Sequence, residues 1–140
     1  MKKTLVKVQT ELYIQHNWEG CPLEEVAFLK NKHVHKMFVT VEIGVEHNDR
    51  QCEFFVLRAD VLKALEGLYP VTLTVRIHEI GSRSMEMVAH ELFDYLEKFA
   101  YPAIFAVECS EDNIFSSRVE RKERGKKQGV GGGIGTGIAI

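Results

Sequence analysis

The chain has 140 residues, 45% of them hydrophobic and 27% charged, which suits one globular domain with a core. Its formal charge of −2 provides no general attraction to nucleic acid or membranes. Cys21, Cys52 and Cys109 are odd in number and fit no C-x-x-C spacing, which argues against a disulfide framework and for a reducing, cytoplasmic setting. Lys7, Gln9 and Glu11 interrupt the N-terminal apolar residues, so no leader is expected, and no run of about 18 apolar residues marks a membrane span.

Residues 6–16 alternate: Val6, Val8, Thr10, Leu12, Ile14 and His16 fall on one side, with Lys7, Gln9, Glu11, Tyr13 and Gln15 on the other. This period of two predicts a strand whose last inward residue is His16. Gly20, Pro22 and scattered charges then predict a long loop with one turn of helix. Trp18 and Phe28, flanking it, either line a pocket or seal the core, and sealing is expected. The stretch NKHVHKMFVTVEIGV follows, with His33, His35, Met37, Val39, Val41, Ile43 and Val45 on one face. His47, Asn48, Asp49 and Arg50 carry turn chemistry, and QCEFFVL predicts a returning strand of a hairpin or meander.

Val61, Leu62, Leu65 and Leu68, with Pro70 beyond them, predict a first helix over 60–68. VTLTVRI reads as a strand and Gly81 with its neighbouring serines as a loop. A second helix is capped by Ser84 and carries Met85, Val88, Ala89, Leu92, Leu96 and Phe99 at three- and four-residue steps. AIFAVEC and IFSSRV predict two last strands joined by a turn at SEDN. The folded part is expected to stop near Val119, so residues 1–119 form the domain and 120–140 a basic, Gly-rich, flexible tail. The pattern implies an α+β domain with two helices on one face of an antiparallel sheet. Residues 118–127 hold six basic and two acidic side chains, which reads as a solvated terminus or, less in keeping with the mixed charges, a contact for nucleic acid or another acidic partner.

Residues i and i+2 of a strand point the same way, about 6 to 7 Å apart. His33 and His35 therefore share a side, and an antiparallel pairing of the first two strands brings His16 to them. Three imidazoles with a fourth position open is a recurring set for catalytic zinc. The alternative is hydrogen-bonded histidines at the edge of a core. Cys21, in the joining loop, is either an extra ligand or a small buried hydrophobe.

At these residues the chain resembles the 6-pyruvoyltetrahydropterin synthase and 6-carboxytetrahydropterin synthase family of the tunnelling fold. That family ends its first strand in a histidine and begins its second with H-G-H; here His16 and the H-V-H of His33 and His35 correspond, and the resemblance makes them Zn2+ ligands. The likeness continues through EFFVLRADVLKAL as a short strand and helix, Ser84-Met85-Glu86 opening a second helix, and Val107-Glu108-Cys109-Ser110 near a strand end, covering roughly residues 4–119. It implies a lyase acting on a dihydroneopterin triphosphate-like substrate, with Glu108 accepting paired hydrogen bonds from a pterin, and homo-oligomers of trimer or hexamer size whose pockets lie between subunits. The family's catalytic cysteine, a few residues ahead of H-G-H, has no counterpart in residues 28–32, and its L-D-H element survives only as His78 in RIHEIG. His78 and Cys21 are therefore the candidates for proton transfer, His78 having an exposed strand-end residue as its other reading. The rival to an enzyme is a non-catalytic module binding a pterin, purine or nucleotide.

Overall fold

Alternation drives the two long strands. In the computed structural model, which describes residues 1–72 and 74–122, β1 runs Thr4–His16 and β2 runs His33–Val45, paired antiparallel with His16 opposite His33 and Ile14 opposite His35. Val8, Thr10, Ile14 and His16 are buried from β1, as are Met37, Val39, Val41 and Ile43 from β2, so the face predicted to be inward is inward. Between them, Glu24–Lys30 forms a 3₁₀ segment kinked at Val26, in keeping with the long loop and single turn expected there.

The chain after β2 departs from the hairpin reading. QCEFFVL does not return as a strand; α1 spans Phe54–Leu68 and begins six residues earlier than the predicted helix. Four contiguous apolar residues, Phe54 to Leu57, suit either structure, so periodicity over that run alone cannot decide. What decides it is capping: the Glu53 carboxylate accepts from the Val56 N–H at 3.0 Å, while Gln51 Oε1 accepts from the N–H groups of Glu46 and His47 and closes the turn. Leu57, Val61, Ala64 and Leu65 then form the buried stripe, while Phe55 is 80% exposed.

Among the described residues of VTLTVRI, only Ile77 belongs to a strand, contrary to the expectation. β3 is Ile77–Gly81, and Val71 contributes only an isolated bridge to His78. β3 lies parallel to β1, so the sheet is mixed rather than wholly antiparallel, and a strand separates the two helices in the chain. α2, Met85–Phe99, starts as predicted, with the Ser84 hydroxyl accepting from the Met87 N–H at 3.2 Å. Its stripe gains Phe93, while Phe99 is 64% exposed. β4, Ile104–Glu111, and β5, Phe115–Glu120, pair antiparallel around a turn where Asp112 and Asn113 take left-handed φ values of 55° and 60°.

The sheet order is β3-β1-β2-β4-β5. One core joins Ile14, Met37 and Val39 of the sheet to Leu57 and Val61 of α1 and to Leu92 and Leu96 of α2. Each such side chain contributes roughly 1.5–3 kcal/mol by leaving water. The α+β class with helices over one sheet face is thus the observed one. Of the basic tail expected from residue 120, residues 123–140 lie outside the described part of the chain.

Candidate metal centre

The β1–β2 ladder ends in imidazoles. Ring centroids of His16 and His33 are 4.6 Å apart, those of His33 and His35 4.9 Å, and those of His16 and His35 5.3 Å. One ligand atom from each of the three lies within 4.8 Å of the others. The strand pairing inferred from alternation has produced this cluster.

Hydrogen bonding says which atoms are available. His16 Nδ1 donates to the Arg83 carbonyl at 2.9 Å and His33 Nδ1 to the Asn31 carbonyl at 2.8 Å. A carbonyl can only accept, so each ring carries a proton on Nδ1, and in the neutral imidazole this leaves the lone pair on Nε2. His35 Nδ1 bonds to Asp112 Oδ2 at 2.6 Å. The hydrogen bond from His35, together with the Lys36 N–H, holds the Asp112 carboxyl below its ordinary pKa and so ionised. Anchored Nδ1 atoms behind free Nε2 atoms are how metal-binding histidines are oriented. His16 Nε2 is moreover buried without a hydrogen-bond partner, a costly state that a cation would relieve. The donor set therefore fits a zinc ion.

Two acids at this site, Glu111 and Asp112, escaped the sequence reading. Glu111 Oε2 lies 3.1 Å from His16 Nε2 and 3.9 Å from His35 Nε2. The nearer approach makes no hydrogen bond and is an ion pair only when His16 is protonated. Burial of His16 opposes its charging, but Glu111, the Arg83 carbonyl and Glu79 outweigh that and raise its pKa above the usual 6.5. Contact with His16, and the field of His35 and His33, lower that of Glu111 in return, against burial. The signal for both acids was the turn SEDN, legible as a turn but with no local hint of its neighbours.

The cluster opens into a cavity of ≈ 510 Å³ whose lining includes His16, His33, Trp18, Ser84, Glu111 and Ser117. Trp18 thus lines a pocket, and Phe28, 65% exposed, does not seal the core. The other candidate residues stand apart. His78 is not exposed at a strand end: it is buried beside Ile14, its Nδ1 facing the Tyr69 carbonyl at 3.3 Å, and burial lowers its pKa. Cys21 is buried with its thiol near the carbonyls of Leu23 and Val26, and burial pushes the Cys109 thiol up to about 12. Neither His78 nor a cysteine is among the residues lining the cavity. Glu108 pairs with Thr40 on the sheet face opposite Cys109, and its carboxylate is 3.7 Å from Arg118. The histidines and Glu111 occupy the other face.

No family model and no curated protein matches the sequence. Solved structures do match. A 6-pyruvoyl tetrahydropterin synthase of Caenorhabditis elegans superposes with a TM-score of 0.61 at 15% identity, over 87% of this chain and 98% of that one. The fold resembles a pterin synthase fold. An uncharacterised protein of Wolinella succinogenes superposes with a TM-score of 0.63 at 12% identity, over 87% of this chain and 100% of that one. At such identities the likeness establishes architecture, in agreement with the resemblance drawn from the histidine motifs.

Proposed function

We propose that His16, His33 and His35 hold Zn2+ and that the chain is a pterin synthase-like lyase, eliminating or cleaving the side chain of a dihydroneopterin triphosphate-like substrate. The observation that carries this reading is the convergence of three imidazoles, each fixed from behind through Nδ1, beside a cavity lined by His16 and His33 and large enough for a small heterocycle. A bound zinc ion supplies Lewis acidity toward substrate oxygens. The chain's own part is to orient the imidazoles, through Arg83, Asn31 and Asp112, and to wall the pocket with Trp18 and the start of α2.

Glu108 is the proposed anchor for the heterocycle. Because it sits on the sheet face away from the histidines, Glu108 and the histidine cluster of one protomer do not face the same ligand, and a site using both takes them from different subunits. We therefore propose a homo-oligomer, a trimer or hexamer. Free Cys21, Cys52 and Cys109 favour the cytoplasm, and no helix among the described residues is long and apolar enough to cross a membrane.

The second reading, a module that binds a pterin, purine or nucleotide without turning it over, is favoured by the cavity lining, in which neither a cysteine nor His78 takes part. Incubating the zinc form with dihydroneopterin triphosphate and following products by mass spectrometry separates the two. A shortened or eliminated side chain supports the lyase; unchanged substrate that co-purifies with the protein supports the binding module and ends the lyase reading.

A further inference from the structure

We infer that Glu111 is a fourth protein ligand of the ion held by His16, His33 and His35; the inference rests on the metal reading above. Donor atoms about 2.0–2.1 Å from one tetrahedral ion are about 3.4 Å from each other. Glu111 Oε2 brackets that value, at 3.1 Å from His16 Nε2 and 3.9 Å from His35 Nε2. The register that sets Glu111 opposite Met37 puts its side chain on the histidine face, one step beyond the row His33, His35, Met37.

His16 donates its Nδ1–H to the Arg83 carbonyl, so in the neutral ring Nε2 presents a lone pair, and an ionised carboxylate also offers only lone pairs. Two acceptors 3.1 Å apart repel unless something positive lies between them, and His16 Nε2 has no hydrogen-bond partner. A cation shared by Glu111 and the three imidazoles removes that repulsion and satisfies the buried atom together. A proton bridging the one pair relieves only His16 and leaves the Nε2 atoms of His33 and His35 unused.

Three histidines leave a coordination position open, whereas three histidines and a carboxylate close the site in the manner of structural zinc. A substrate oxygen would then reach the ion only by displacing Glu111, which lines the same cavity.

Co2+ is the probe, added to the full chain and to Glu111→Gln and Glu111→His. Affinity is read by chelator competition, the coordination sphere by visible absorption with and without azide, and folding by circular dichroism. Removing the carboxylate is expected to weaken Co2+ on the order of tenfold or more, to shift the visible bands and to let azide bind, while Glu111→His restores affinity. Equal affinity and superposable spectra for wild type and Glu111→Gln overturn the inference while the three-histidine site stands. Azide binding by the wild type as readily as by Glu111→Gln overturns it too, without relying on the variant's stability. Failure of the wild type to bind Co2+ at all removes the metal reading and this inference together.

Discussion

His35 and Asp112, 77 residues apart in the chain, are joined by a 2.6 Å hydrogen bond from imidazole Nδ1 to carboxylate. Asp112 also accepts from the Lys36 N–H at 3.0 Å, and its own N–H donates to the Lys36 carbonyl at 2.8 Å. The turn after β4 is thus bolted to the start of β2, and that attachment orients one of the three histidines.

Asp112→Gly tests this attachment. Glycine suits the φ of 55°, so the substitution removes the carboxylate without adding backbone strain. Metal affinity is expected to fall on the order of tenfold, the usual cost of losing an outer hydrogen-bond partner. Titration with a competing chelator measures it; an unchanged affinity would contradict the orienting role.

His33→Ala and His35→Ala each leave two imidazoles where three converge. Both side chains are only partly buried, so the domain should remain folded. After metal-supplemented preparation the wild type is expected to carry about one equivalent of zinc and each variant below about a tenth, because a site missing a ligand loses much of its binding free energy. Elemental analysis with circular dichroism as the folding control decides the matter.

Glu42 makes stability depend on acid pH. Arg118 donates to both its carboxylate oxygens, at 2.6 and 3.0 Å, and this pairing lowers the Glu42 pKa below the ordinary 4.5 despite the opposing effect of burial. A lowered folded-state pKa means the stabilisation is complete above about 4.5 and is lost as pH falls through the lower folded value. Denaturant melts from pH 7 to pH 3 should therefore show the wild type's advantage over Glu42→Gln shrinking below pH of about 4.5. A constant difference across that range would show the pair contributes nothing that titrates.

The start of α1 is testable by paired truncations. Leu57 is fully buried and Phe55 is 80% exposed, the outcome of a helical register. Leu57→Ala should cost about 2–5 kcal/mol and Phe55→Ala less than about 0.5 kcal/mol, read from urea midpoints. In a strand both residues would share one face, and their costs would be similar.

The strands β1 and β2, the second helix with its Ser84 cap, and the meeting of His16 with His33 and His35 were legible in the sequence because each follows from local periodicity. A period of two puts His33 and His35 on one side, and antiparallel pairing of neighbouring strands carries His16 to them. The run Phe54 to Leu57 and the segment 71–77 misled because short apolar runs suit helix and strand alike, and caps and neighbours resolve them.

What only the tertiary structure decided is the company the histidines keep. Glu111, Asp112 and the Arg83 carbonyl reach them through the β2–β4 ladder and the β3–α2 turn, contacts made across many residues of sequence that leave no periodic trace. The same is true of His78 and Glu108: each was picked out by its place in a motif, but the side of the sheet a residue faces, and whether a cavity opens there, depend on which elements pack over it. Backbone periodicity determined the three imidazoles. Packing determined their hydrogen-bond partners, their free nitrogens and the carboxylate beside them.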